Sequence, residues 1–351
     1  MNKIICIAIL LLTFNTYAQS SSGRIIGKGL NTPQDSIQFF YSQLFDIMKS
    51  GYVYKDNFDW KEIELQVQEN LMQYRNFKSS LKEVTTVFDF AKADHCKVEY
   101  NNVYFSGNFP GPSIKDFSEQ WVKKYSKKPT FEVKMLDNEI GYILMPGIKY
   151  DHTSSTNKNL SQIMYDEINK VKSSNKIKGW IIDLRFNTGG DCQPMLLALY
   201  DFLGNNEIWG VLNINKKKVR SVRLTNGKYI DESQKLAQIK VKGFLMDEVK
   251  VALITNLATG SSGEVTALAF KGRNNTIFIG DKTNGKTTAN AIVDLPFGAY
   301  ITLSTGLDCD RNGNFYKHIF PDITISKQDN FDDLLLDKNI QEAIKYIRLE
   351  E

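Results

Sequence analysis

Three short stretches carry residue types that could act together in acyl-transfer chemistry. The first is Asp183-Leu-Arg-Phe-Asn-Thr-Gly-Gly190, which follows the apolar run Gly179–Leu184. Glycines at a strand end let the backbone turn its N–H groups toward a ligand, and such groups can receive an oxyanion. A plain strand-to-helix turn uses the same residues. The second is Asn256-Leu-Ala-Thr-Gly-Ser261-Ser-Gly-Glu264, again after an apolar run, Val249–Thr255. A serine there sits near a helix N-terminus, where free N–H groups favour developing negative charge. Ser261 or Ser262 could equally be only a helix cap. The third is Gly280-Asp-Lys-Thr-Asn-Gly-Lys286-Thr-Thr. A lysine amine can serve as a serine's general base when desolvation makes it neutral, although most lysines are simply solvated.

The third stretch also fits the phosphate-loop pattern GxxxxGK[ST] between Gly280 and Thr287. That pattern needs a helix after it. Here Thr287–Ile292 leads into a β-type run, so a phosphate site is not expected.

The elements around these stretches define an α/β arrangement. Strand candidates Ile140–Met145, Gly179–Leu184, Val249–Thr255 and Thr276–Gly280 alternate with helix candidates Leu160–Val171, Pro194–Leu203 and Gly263–Phe270. Such alternation implies a mostly parallel sheet. Residues 290–325 return to β, and Asn339–Ile347 closes as a helix. Before this core, residues 33–92 show helical periodicity. Ile37, Phe40, Tyr41, Leu44, Phe45 and Met48 recur at three- and four-residue spacing. A second helix starts near Asp59, and a third spans Leu81–Ala91. Residues 96–135 carry short β-type runs and a Pro/Gly loop at Phe109–Pro112.

The order DxRxNxGG, TxSxxE, GxxTxGK resembles the C-terminal processing peptidases, or tail-specific proteases, with some tricorn-type features. In that family the nucleophilic serine lies three residues before a glutamate and 25 before the lysine. Ser261, Glu264 and Lys286 repeat that spacing, which selects Ser261 over Ser262. The resemblance covers about residues 139–326, including Pro321-Asp322. It implies a Clp-protease/crotonase-like α/β core with a small helical N-terminal domain. It implies Ser261 as nucleophile and Lys286 as general base, working through an acyl-enzyme. The oxyanion hole falls to the N–H of Ser262 and that of Gly189 or Gly190. No cofactor or metal is implied, and the partner is a peptide or protein substrate.

Two departures matter. The family often carries a Gln four residues after the lysine, where this chain has Asn290, a candidate auxiliary residue. The usual PDZ domain is not recognisable, because only about 40 residues separate His95 from the first core strand. His95 follows the third helix at a position resembling the catalytic histidine of tricorn-type peptidases. Those enzymes use Ser, His and Glu, and Lys317 stands in the place of their glutamate. The Ser–Lys pair is therefore the expectation. The alternatives are a Ser–His peptidase using His95, or an inactive binding protein on the same fold. His152 and His318 carry no motif.

The remaining sequence sets the context. The chain has 351 residues, 42% hydrophobic and 24% charged, with a formal net charge of +4. It can bury a core, and nucleic acid is not an expected partner, since no basic stripe with interleaved aromatics is present. Lys3, the apolar run Ile4–Phe14 and Ala18 read as a signal peptide cleaved after Ala18, which predicts an exported, periplasmic or secreted protein. No other stretch approaches the roughly 20 apolar residues of a membrane span, so no integral membrane segment is expected in the mature chain. Cys96, Cys192 and Cys309 remain after the signal, without zinc-ligand spacing, and are expected as free thiols. The organisation expected is a signal peptide over 1–18, a flexible leader over 19–32, helices over 33–95, a β/loop connection over 96–138 and the peptidase core over 139–351.

Overall fold

The computed structural model describes residues 30–149, 155–174 and 176–349. The signal peptide, nearly all of the leader, and His152 lie outside the described residues.

Helix α1 (Pro33–Gly51) begins where Thr32 caps it, with Pro33 at the first helical position and Asp35 returning a bond to the cap. Its six periodic apolar residues are all buried. Asp59 caps α2 (Trp60–Leu71) by accepting from the N–H groups of Lys61 and Glu62. Helices α3 (Phe77–Ser80) and α4 (Val84–Phe90) complete this layer. It shares one apolar cluster with Val98, Leu212, Ile301, Leu303 and Leu307, so the helices seal one face of a sheet.

Residues 96–138 do not stand apart. They supply the hairpin β1 (Lys97–Tyr100) and β2 (Val103–Ser106), helix α5 (Glu119–Ser126) and strand β3 (Glu132–Leu136). The hairpin enters one sheet, and β3 the other.

The core continues with β4 (Ile140–Leu144), α6 (Ser155–Ser174), β5 (Gly179–Asp183), α7 (Cys192–Ala198) and α8 (Tyr200–Leu203). Four strands follow: β6 (Glu207–Leu212), β7 (Lys218–Thr225), β8 (Lys228–Asp231) and β9 (Gln234–Gln238). Next come β10 (Lys250–Thr255), α9 (Ser262–Leu268), β11 (Thr276–Gly280), β12 (Thr288–Asp294), β13 (Tyr300–Cys309), β14 (Ile323–Thr324) and α10 (Lys338–Arg348).

Two sheets result. The six-stranded one has the order β14-β11-β10-β5-β4-β3. All its pairings are parallel except β3 with β4. This is the sheet that the alternating pattern predicts. Strand β5 is buried along its whole length, as expected of a central parallel strand covered on both faces. Trp180 and Ile182 face one apolar cluster, and Ile181 faces the other with Ile340, Ala343 and Ile347 of α10.

The second sheet runs β2-β1-β13-β6-β7-β8-β9, with β12 added on β13. Its pairings are antiparallel. Residues 204–248 supply four of its strands, β6 to β9. Among the described residues no helix is long and apolar enough to cross a membrane. Cys96, Cys192 and Cys309 are free.

Candidate active site

The C-terminal ends of β5, β10 and β11 lie side by side, so the three chemical stretches emerge at one edge of the parallel sheet. That is where open α/β sheets place ligands. The antiparallel sheet brings β12 and β13 to the same edge.

Ser261 follows β10 and precedes α9, with φ +53° and ψ −120°. A non-glycine residue in that region carries strain of about 1–3 kcal/mol and persists only when its surroundings hold it. The hold comes from Glu264. Its fully buried carboxylate accepts the N–H of Ser261 at 3.0 Å, of Gly285 at 2.7 Å and of Lys286 at 2.7 Å, and the Thr283 hydroxyl at 2.5 Å. Burial raises the Glu264 carboxyl above its ordinary value, opposed by these four donors. One side chain therefore fastens the serine turn to the lysine loop.

His95 arrives from the turn between α4 and β1. Its Nε2 lies 3.2 Å from Ser261 Oγ, and its Nδ1 lies 2.7 Å from Thr288 Oγ1. Thr288 Oγ1 is 3.1 Å from Ser304 Oγ, and Ser304 donates to Asn290 Oδ1 at 2.9 Å. These bonds run in one direction. Asn290 Oδ1 only accepts, so Ser304 donates to it, Thr288 donates to Ser304, and Nδ1–H of His95 donates to Thr288. The network thus assigns the tautomer that leaves the Nε2 lone pair for the Ser261 hydroxyl. The Nδ2 group of Asn290 also reaches Nε2, at 3.2 Å. Strands β12 and β13 pair Asn290 with Ser304, and a bulge between Ala289 and Asn290 re-aims the strand here.

Burial lowers the His95 imidazole to about 4, helped by the charge of Lys286 and opposed by Asp94. The ring is therefore neutral at physiological pH.

Lys286 is held by the turn that carries His95. Its ammonium donates to the Asp94 carbonyl and lies 3.4 Å from the Asp94 carboxylate. The side chain that hydrogen-bonds Ser261 Oγ is His95, not Lys286. The reason is long-range: Asp94 comes from the turn that delivers His95, so the same turn holds both the imidazole and the lysine. Lys317 lies 3.5 Å from the same carboxylate. The phosphate-loop pattern is followed by strand β12 rather than by the helix that a phosphate loop requires.

The double glycine abuts the serine. A Cβ on Gly189 would fall 2.8 Å from Ser261 Cβ, and Gly189 has φ +109°. Its N–H donates to Asn187 Oδ1 at 3.2 Å. Gly190 bridges to Ile148, and its carbonyl accepts the Ser262 hydroxyl at 2.6 Å. Asn187 locks the two loops, because its carbonyl accepts the Gly260 N–H at 3.0 Å. Behind them, fully buried Arg185 pairs with Asp183, Asp329 and Asp337. These two motif residues brace the loop rather than line the cleft. His318 donates its Nδ1–H to the Thr283 carbonyl at 2.9 Å and supports the lysine loop.

The motifs bring Ser261, Ser262, Gly189, Gly190, Lys286, Asn290 and His95 to one locality. Thr288, Ser304 and Glu264 are the members that sequence reasoning did not assign a role. Glu264 carried a signal, its fixed spacing from Ser261. Thr288 and Ser304 carried none, being ordinary hydroxyl residues on β-strands.

The profile of peptidase family S41 matches residues 139–325, more than half of the chain. The nisin-resistance protein of Lactococcus lactis subsp. lactis is 26% identical over 275 residues, which is 77% of this chain and 78% of that protein. The carboxy-terminal-processing protease of Bartonella bacilliformis is 24% identical over 194 residues. That is 55% of this chain but only 40% of the relative. A lipoprotein from Streptococcus agalactiae shares the fold, with TM-score 0.64 and 23% identity over 89% of this chain and 96% of that one. A serine turn, an imidazole and a double glycine at one sheet edge fit serine-type peptide hydrolysis, and by its sequence profile this chain belongs to peptidase family S41.

Proposed function

We propose that this chain is an exported serine endopeptidase that works through an acyl-enzyme, with Ser261 as nucleophile and His95 as its general base. The observation that carries the reading is the 3.2 Å contact between His95 Nε2 and Ser261 Oγ, with the opposite ring nitrogen anchored on Thr288. In the first step Ser261 Oγ attacks the peptide carbonyl while its proton passes to Nε2. The carbonyl oxygen becomes an oxyanion received by the Ser262 N–H and by that of Gly189 or Gly190. Gly189 already donates to Asn187, which favours Gly190 for the task. The carbon–nitrogen bond then breaks, and the imidazolium gives its proton to the departing amine. Water repeats the sequence on the acyl-enzyme. Each oxyanion donor is worth about 10²–10³ in rate.

Lys286 acts in this reading as a neighbouring charge that assists burial in keeping the imidazole neutral, rather than as the base expected from spacing alone. Export follows from the N-terminal segment. The likeness to a nisin-resistance protein makes nisin a first substrate to offer.

The test compares His95→Ala, Lys286→Ala and Ser261→Ala in peptide hydrolysis and in labelling by a fluorophosphonate probe. Loss of about 10²–10⁴ in kcat/KM is expected for His95→Ala, with a smaller loss for Lys286→Ala. The opposite ranking restores the Ser–Lys dyad. Failure of the probe to label Ser261 in the wild type would instead favour a binding protein.

A further inference from the structure

A cleft of about 420 Å³ opens beside Ser261, and none of the roles above uses it. Its floor includes Thr188 and Gly260, the neighbours of Gly189 and Ser261. Its wall is aromatic. Phe117 stacks on Trp121 with ring centroids 4.0 Å apart, and Trp121 stacks on Tyr125 at 4.6 Å. Trp121 is fixed from behind by stacking on Phe186 and by donating its indole N–H to the Arg185 carbonyl. The wall is therefore rigid. Its outer edge is open, with Tyr125 47% and Ile114 68% exposed. Apart from Lys286, tied to Asp94, no charged residue lines it.

The position identifies the occupant. A general base must also protonate the leaving amine, so His95 marks the leaving-group side of Ser261. Thr188 and Gly260 lie on the side of the double glycine, where the oxyanion and the acyl part of the substrate belong. We infer that this cleft is the specificity pocket for the residue on the N-terminal side of the scissile bond, and that it selects a large apolar side chain, aromatic or branched aliphatic. The volume lies within the range of ligand pockets, and a stack of rings rewards apolar surface while an unpaired charge is penalised there. The inference rests on Ser261 as the nucleophile.

The experiment uses the full mature chain and a set of fluorogenic peptides that differ only at that residue: Ala, Leu, Phe, Lys and Asp. We expect Leu or Phe to exceed Ala by about tenfold or more in kcat/KM, with Asp lowest. Tyr125→Ala and Ile114→Asp are both exposed-edge changes, and each should cut the Phe-to-Ala ratio about fivefold, the size of a partial loss of apolar contact. The same ranking is read as binding to Ser261→Ala by isothermal titration. Equal cleavage of the Ala and Phe peptides, or a ratio that neither edge variant moves, overturns the pocket while leaving the peptidase intact. A preserved binding ranking with no turnover in the wild type supports the pocket and condemns the nucleophile assignment instead.

Discussion

Thr288 Oγ1 sits 2.7 Å from His95 Nδ1, at the head of a hydroxyl chain that ends on the Asn290 amide oxygen. No carboxylate takes this position. The imidazole is therefore oriented by neutral groups, which fix its tautomer but add no negative charge to stabilise imidazolium. Thr288→Val removes the acceptor at nearly constant volume and should lower kcat about 10–100-fold with little change in KM, a loss within the range for impaired acid–base catalysis. Thr288→Ser keeps the hydroxyl and should retain most activity. Equal activity of the Val and Ser variants would show that the chain only packs.

The acid limb of the pH profile follows from the same residue. The base form of His95 is the neutral one, and burial with the Lys286 charge lowers its value to about 4. Hydrolysis should therefore hold through pH 6 and fall only as pH drops toward 4. Lys286→Ala removes one of the lowering causes, so its acid limb should move up, toward the ordinary histidine value of about 6.5. An unmoved limb in Lys286→Ala would break the electrostatic link. A limb above 8 in the wild type that disappears in Lys286→Ala would name the lysine as the base.

Stability carries a matching signature. Between about pH 4 and 6.5 the unfolded chain binds a proton at His95 that the folded chain does not. Stability should therefore rise with pH across that window and level off above it. His95→Gln removes the titration, so its Tm should climb less than that of the wild type over the same interval. Differential scanning fluorimetry at half-unit steps measures the difference.

Glu264 offers a sharper structural test. Four donors converge on its carboxylate from residues 261, 283, 285 and 286. Glu264→Gln places an NH2 group where only acceptors fit, leaving buried N–H groups facing one another. A cost of about 2–4 kcal/mol in stability is expected, of the order of a broken buried polar network. The serine turn should loosen with it, so kcat should fall even at temperatures where the variant is folded. Urea denaturation with activity measured in parallel separates the two effects.

How much of this was legible in the chain depends on the range of each interaction. The serine turn, the double glycine and the register of Glu264 are local, and so their residue types and spacing announce them. The faces of α1 and α2 are local too, since burial follows their 3.6-residue period. His95 is 166 residues from Ser261, and Asp94 is 192 from Lys286, so no spacing rule can rank the two candidate bases. The direction of the lysine is decided by which turn the helical layer delivers to the sheet edge. Strands β6 to β9 of the antiparallel sheet were hidden for another reason. Lys218–Thr225 reads Lys-Val-Arg-Ser-Val-Arg-Leu-Thr, with only Val222 and Leu224 fully buried, so its apolar alternation is half masked by exposed and part-exposed positions. Hydroxyl residues such as Thr288 and Ser304 look alike in any strand until their partners are known.

Gly189 tests whether the double glycine serves by its freedom or by its size. Its φ of +109° excludes ordinary side chains, and an added Cβ would fall 2.8 Å from Ser261 Cβ and 3.1 Å from the Gly260 carbonyl. Gly298 has φ +80°, yet a Cβ there would meet nothing within 4 Å. Gly298→Ala therefore carries backbone strain alone, about 1 kcal/mol or somewhat more, at a distance from the chemistry. Gly189→Ala carries similar strain and also pushes against the nucleophile and the oxyanion loop. Both variants should lose a few degrees in Tm, but only Gly189→Ala should lose kcat, by about 10²-fold or more, the effect of misplacing reacting groups by a fraction of an ångström. Fluorophosphonate labelling should slow in the same variant. Equal activity losses in the two would mean that strain, and not contact with Ser261, is what the glycine relieves.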